Sequence, residues 1–401
     1  MGVLFLGGTE KIADPLEALS GTPRLYREST ESSDLERRLS DALADCRPEV
    51  VVDLSDAPIL DYRTRYRLAT RTLRFGAGYV GADFTFDPPR YERVFHKPSI
   101  AVIGTGKRIG KTAVSIHIAG CLSRAGWRPL ILTMGRGGPC RPEVIESSGE
   151  DPVDRLLEAA ASGRHAASDY WEDAVLSDVP TIGCRRCGGG LFGSPFYSNV
   201  IDGAREAEAR DEDVIIVEGS GPTIAPLSTD TTILVAGADD DPAESFRGLA
   251  RYRLLISDAV VFTGCGSSPP EAISALDKAV TGTGQNLPVF HTRFTPEPTR
   301  SIEGKRVFLA TTAAPEDAER IRTAIEEREG CRVSCTTTNL SDREALRGDL
   351  AAGLADADVL VTEVKAASID VAAETARERG KDVVLMHNAI NSADLDGFVR
   401  D

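Results

Sequence analysis

Residues Ser99–Thr112 read SIAVIGTGKRIGKT. The apolar run Ile100–Ile103 is short and unbroken, which is the pattern of a strand buried on both faces. A glycine-rich turn, Gly104–Gly110, follows, and Lys111-Thr112 opens an apolar helical segment that runs to Leu122. Strand, glycine turn and Gly-Lys-Thr at a helix start form a phosphate-binding loop in its required context. Turn and helix N–H groups converge there on phosphate oxygens. The residues expected to hold a nucleotide are Gly104, Thr105, Gly106, Lys107, Arg108, Gly110, Lys111 and Thr112, with Lys111 on the β- and γ-phosphates and the Thr112 hydroxyl on Mg²⁺. The loop departs from the common G-x-x-x-x-G-K-[ST] spacing in having Thr105 where a glycine is usual. A merely structural glycine turn would not need the strand and helix that flank this one.

Downstream, the strand expected over Arg128–Met134 runs into Gly135-Arg136-Gly137-Gly138-Pro139-Cys140-Arg141. Ligands of open α/β sheets bind beyond the carboxyl ends of the strands. Arg136, Gly137, Gly138 and Arg141 are therefore candidates for an anionic substrate; the alternative is a solvated surface turn. Pro152–Ala160 reads as a helix, followed by RHAASDYWED, Arg164–Asp173. Asp169 and Asp173 lie four apart, on one face if helical, and Asp169 is a candidate for Mg²⁺ ligation or proton transfer. His165 is a candidate phosphate contact, with a structural role as the competing reading. In GCRRCGGG, residues 183–190, Arg185 and Arg186 precede three glycines and suggest a second anion site. Cys184 and Cys187 have zinc-knuckle spacing, but no second pair completes a tetrahedral site. The run Val214–Val217 ends in Glu218-Gly219-Ser220-Gly221, a Walker B arrangement in which Glu218 holds Mg²⁺ or its water. Strands are also expected at Thr232–Ala236 and Ala259–Thr263, and the loop 264–267 stands where a nucleobase could be read.

Both flanks alternate strand and helix. Residues 1–96 are expected to form a small N-terminal α/β domain, a lid or substrate domain, with strands at 3–6, 49–54 and 78–86 and helices at 35–44 and 63–75. Gly7-Gly8-Thr9 is too short a fingerprint for a dinucleotide site, and Pro88-Pro89 marks the boundary. Residues 97–295 form the nucleotide-binding core, and 300–401 a C-terminal α/β segment, either a third unit or an extension of the core sheet. It has no catalytic motif; Lys365, just past a strand ending at Thr362, is a candidate substrate contact by position alone. The fold class is α/β, a P-loop NTPase core with a mostly parallel sheet plus the two flanking units.

The chain has 401 residues, 46 basic and 62 acidic, for a net charge of −16. So acidic a chain is a poor candidate for binding nucleic acid. No apolar run is long enough to span a bilayer and the first residues lack a signal peptide's basic and apolar regions, so a cytoplasmic protein is expected. Eight cysteines in a chain this long do not suggest a disulfide scaffold. Against the acidic background, the loops that follow the central strands are basic.

The loop GTGKRIGKT, residues 104–112, resembles that of the dethiobiotin-synthetase-like branch of P-loop proteins, as does VEGSG, residues 217–221. Together with MGRGGP (134–139), RHAASDYWEDA (164–174), GCRRCGGG (183–190) and SPFYSNV (194–200), the set resembles the cyclic 2,3-diphosphoglycerate synthetase family. That resemblance implies an ATP-dependent ligase that uses Mg²⁺ and ATP to close an intramolecular phosphoanhydride in 2,3-diphosphoglycerate, releasing ADP and phosphate. It also implies a homodimer. Lys111, Arg185, Arg186, Asp169 and Glu218 are the expected catalytic groups, with Thr112, Glu218 and Asp169 on the metal. Arg136, Gly137, Gly138, Arg141, His165, Arg185 and Arg186 are expected on the substrate. Two other readings stay open on the residues: another ATP-dependent ligase or kinase on a phosphorylated or carboxylate metabolite, and a nucleotide-switch ATPase or GTPase.

Overall fold

The computed structural model describes residues 2–6, 21, 24–27, 32–57 and 59–401. Gly7-Gly8-Thr9 lies outside the described residues. In the N-terminal unit, β1 (Val3–Phe5) pairs in parallel with β2 (Leu25–Arg27), while β3 (Val50–Val52) pairs in parallel with β4 (Gly78–Val80) and β4 antiparallel with β5 (Thr85–Phe86). The single strand expected over 78–86 is thus two, reversing just after Val80; the Phe84 ring occupies the space a Cβ on Gly81 would need, 2.3 Å away. Arg-rich Tyr62–Arg74 is a helix capped by Asp61, whose carboxylate accepts from Thr64 N–H at 2.7 Å. It buries Leu68, Ala69 and Leu73 and leaves its cations outward or toward the core domain.

The central sheet has nine strands in the order β10-β9-β7-β11-β6-β12-β13-β14, with β8 also on β9. They are β6 (Ser99–Gly104), β7 (Pro129–Gly135), β8 (Glu143–Ile145), β9 (Thr181–Cys187), β10 (Tyr197–Ser198), β11 (Val214–Glu218), β12 (Thr231–Gly237), β13 (Ala259–Thr263) and β14 (Val289–His291). All pairings are parallel except those of β8 and β10 with β9. Parallel strands covered on both faces read as unbroken apolar runs, and β7, β11 and β13 are buried at every position. The stretch Thr181–Cys187, read from sequence as an anion-binding loop, is instead a strand up to Cys187. Its two arginines and flanking glycines mask a strand that is buried at every position but Arg185 and Cys187 and pairs with β7. Cys184 is buried beneath Gly203 and Cys187 is exposed, so the two thiols face different surroundings.

The helix Lys111–Arg124 carries apolar residues all round, because it packs on the sheet and is itself covered by the C-terminal helix Ala393–Arg400, with Asp396 2.7 Å from His117 Nε2. The C-terminal unit has its own five-stranded sheet, β15-β19-β18-β16-β17: β15 (Phe294–Pro298), β16 (Arg306–Ala310), β17 (Arg332–Thr337), β18 (Val359–Thr362) and β19 (Asp382–Ile390). Only β15 is antiparallel, and it is an edge strand, where Pro296 and Pro298 are tolerated. A second apolar cluster joins the core and C-terminal units: Ala166, Tyr170, Trp171 and Ala174 pack with Leu340, Val364, Ala367 and Ile369. Among the described residues no helix is long and apolar enough to cross a membrane.

Candidate active site

The site gathers at the carboxyl ends of β6, β7, β9, β11 and β12. Gly110 sits at φ +85°, and a Cβ there would meet the Phe294 ring at 2.6 Å, so both backbone and space demand glycine. Arg108 is held at φ +61°, a strained conformation for an arginine. Thr105, the departure from the usual spacing, has a use: its hydroxyl donates to Asp240 Oδ2 at 2.6 Å and its N–H to Val235 O at 3.1 Å, tying the loop to the end of β12. Lys111 is buried, and its Nζ donates to Gly106 O at 2.8 Å. Burial pushes its pKa down, while Glu218 and Asp169 oppose that shift.

Thr112 Oγ1 donates to Glu218 Oε1 at 2.8 Å. Glu218 is 2% exposed and its other oxygen, Oε2, has no partner. Burial, reinforced by the charge of Asp169, raises its pKa to about 7. A hydroxyl and a half-satisfied buried carboxylate fit Mg²⁺, which takes one or two protein oxygens and fills its octahedron with phosphates and water. Among the described residues no group of three or more His, Cys, Asp or Glu forms a cage of protein ligands.

The helix Asp169–Ser177 brings three acids toward this point. Asp169 is exposed in its first turn, beside Gly135, where a Cβ would stand 3.3 Å from its Oδ2. Asp173 is fully buried; its Oδ2 accepts from Thr133 Oγ1 at 2.5 Å and its Oδ1 is unpartnered. Burial, then Glu218, drives its pKa well above the usual carboxylate range. Glu172 rises to about 7, again from burial, with Lys365 opposing. The sequence singled out Asp169 and Asp173 as one face, but did not mark Glu172.

The arginines of β9 differ in surroundings. Arg185 donates through Nε to Gly138 O at 2.6 Å and stands with Nη1 2.9 Å from Cys140 Sγ, so it braces the Gly135–Arg141 loop. Arg186 is 6% exposed; Nη1 donates to Gly188 O at 2.9 Å and Nη2 to Ser220 O at 2.8 Å. Its Nε is buried without a partner, and burial followed by the charge of Arg136 lowers its pKa. It is a desolvated cation satisfied by carbonyls rather than by an acid, which leaves its charge uncancelled. Arg136 and Arg141 are exposed, and His165 is exposed with its ring 3.1 Å from where a Cβ on Gly137 would lie.

A residue missed by the sequence reading is Asn199. It is buried; its Oδ1 accepts from Arg185 N–H at 2.6 Å, and its Nδ2 donates to Pro139 O at 3.2 Å and Cys140 O at 3.1 Å. One amide thereby ties β9 to the Gly135–Arg141 loop. Asparagine ahead of a helix reads as an ordinary capping residue, yet no cap hydrogen bond forms. Gly138 belongs to the same arrangement, since a Cβ there would lie 2.0 Å from Cys184 O.

Three family models match the chain: cyclic 2,3-diphosphoglycerate synthetase N-terminal domain over residues 1–87, P-loop domain over 99–292 and C-terminal domain over 298–389. Among curated proteins, a cyclic 2,3-diphosphoglycerate synthetase of Rubrobacter xylanophilus is 45% identical over 396 residues, covering 98% of this chain and 88% of its own. One of Thermococcus gammatolerans is 42% identical, covering 98% and 88%, and one of Methanothermus fervidus 40%, covering 97% and 86%.

Proposed function

The chain belongs to the cyclic 2,3-diphosphoglycerate synthetase family, and from that premise we propose the chemistry its site performs. It is an ATP-dependent ligase that closes an intramolecular phosphoanhydride between the two phosphates of 2,3-diphosphoglycerate, with release of ADP and phosphate. The observation that carries the reading is the convergence of the phosphate-binding loop, buried Glu218 and buried Arg186 on one sheet edge. The other readings, a different ligase or kinase and a nucleotide switch, are not favoured by curated relatives that share the synthetase name over nearly the whole chain.

One substrate phosphate attacks the ATP γ-phosphorus in line, breaking its bond to ADP and giving an acyclic pyrophosphate. The second substrate phosphate then attacks the inner phosphorus of that pyrophosphate, closing the ring and expelling inorganic phosphate. Phosphate is itself the nucleophile, so the protein's task is to offset repulsion and align the groups. Lys111 and the loop N–H groups hold the triphosphate, and Thr112 and Glu218 would hold Mg²⁺, which would supply charge neutralisation for the phosphoryl transfer. Arg186 presents its uncancelled charge between the Glu218–Gly221 loop and Arg136, and Arg185 with Asn199 fixes the loop that carries Arg136. Asp169 stands at the entrance beside Gly135. The three-domain division at about 97 and 300, a cytoplasmic setting and a homodimer belong to the same proposal.

Rapid quenching of a slowed variant tests the order of steps. The acyclic pyrophosphate should accumulate on the substrate before ring closure. Finding the γ-phosphoryl on a protein side chain instead would contradict direct attack.

A further inference from the structure

The C-terminal unit enters the site through the turn that follows β18. Glu363 is 6% exposed, and both its oxygens are occupied: Thr311 Oγ1 donates at 2.7 Å and Thr312 Oγ1 at 2.8 Å. Two residues on, Lys365 Nζ stands 3.9 Å from Glu363 Oε2 and 3.9 Å from Glu172 Oε1 of the core domain. Both distances lie beyond hydrogen bonding. The acids therefore set the position of the ammonium without using its N–H groups, and among the described residues no other acceptor takes them.

The backbone that carries Lys365 is tightly specified. Ser368 Oγ accepts from Lys365 N–H at 3.0 Å, Ser368 N–H donates to Lys365 O at 3.0 Å, and Ala367 N–H donates to Leu340 O at 3.1 Å. Ala366 sits at φ +52°, costly for a residue with a Cβ, and Ser368–Ala373 is a π-helical turn. Both features are enriched at functional sites, where surrounding packing holds them. Ala367 and Ile369 lie in the apolar cluster shared with Tyr170 and Trp171, so the turn is fixed to the same helix that carries Asp169 and Glu172.

We propose that Lys365 is a substrate-binding residue: its ammonium takes a phosphate of the bisphosphorylated substrate, so the substrate is held between the core and C-terminal units. The inference rests on the function proposed above. A flexible point charge suits a phosphate whose position shifts as the ring closes, whereas the fixed guanidinium of Arg186 suits a constant one. Glu172 and Glu363 hold Lys365 charged and in place until the phosphate arrives; the carboxylates raise its pKa, Glu172 most.

The test is calorimetric titration of the intact protein with 2,3-bisphosphoglycerate and, separately, with a non-hydrolysable ATP analogue and Mg²⁺. The parent, Lys365→Met and Lys365→Arg are compared; the side chain is 43% exposed, so the fold tolerates the change. Loss of one charge-assisted contact should weaken bisphosphoglycerate binding in K365M by about tenfold or more. Nucleotide affinity should stay at the parent value, and K365R should recover most of the loss. Equal bisphosphoglycerate affinity in parent and K365M overturns the proposal, as does a loss confined to the nucleotide. A parent that binds nucleotide but no bisphosphoglycerate overturns the proposed function and this inference with it.

Discussion

Buried Glu218 and partly buried Glu172 are acids whose pKa is pushed up to about 7, in both by desolvation before any neighbouring charge. A carboxyl raised on folding favours the folded state only while protonated. Its contribution is present below the unfolded value of about 4.3 and is lost as pH climbs through the folded one. With no nucleotide added, the Tm should therefore fall between about pH 5 and pH 8, and Glu218→Gln should remove part of that slope. If Glu218 holds the metal as proposed, affinity for Mg²⁺-nucleotide should move the opposite way and rise across the same range as the carboxylate becomes charged. A Tm profile that is unchanged in E218Q would contradict the assignment. At this scale the sequence was informative for residues with a motif behind them: Lys111, Thr112 and Glu218 stand where spacing put them. It was silent on Asn199 and Glu172, whose roles depend on loops and helices that meet only in three dimensions.

Elements were legible wherever burial gives a simple period. The apolar runs of β6, β11, β12 and β13 announced a parallel sheet. The run Thr181–Cys187 does not, because two arginines interrupt its apolar pattern and three glycines follow it. Edge strands β8, β10, β14 and β15 are too short or too proline-rich to stand out. The helix Tyr62–Arg74 was found, but the purpose of its arginines was not. Arg67 and Arg71 reach Glu36 at 2.6 and 3.1 Å, and Arg251 of the core unit completes the group at 2.8 Å. Arg74 Nε donates across the same boundary to Leu255 O at 2.8 Å. Glu36 is 8% exposed, and the arginines hold its pKa below the usual range despite the opposing pull of burial. Removing it strands the buried cation Arg251, so Glu36→Ala should cost about 3 kcal/mol in chemical denaturation. The N-terminal unit should then become more sensitive to protease than the core. Unchanged stability would mean that the aromatic contacts among Phe86, Phe192 and Tyr252 dock the unit on their own.

For the molecule as a whole, the alternation of strand and helix fixed the class but left open whether residues 300–401 extend the central sheet. They form a separate sheet together with β15, which begins at Phe294, inside the stretch expected to belong to the core, and the shared apolar cluster at Tyr170 and Trp171 fixes the Lys365 turn to the Asp169–Ser177 helix. No periodicity within either unit foretells that contact. The N-terminal unit meets the Gly188–Gly190 loop region from another side through Phe192, so the loops after β9 lie between docked domains. This enclosure suits a reaction that must keep water from the γ-phosphoryl.

The most direct test of the account follows phosphorus NMR signals of the purified protein with Mg²⁺, ATP and 2,3-diphosphoglycerate. The account predicts new pyrophosphate-region resonances from a cyclic product, appearing in step with ADP and free phosphate and only when all three are present. ATP hydrolysed at the same rate with or without 2,3-diphosphoglycerate, and no cyclic product, would contradict it.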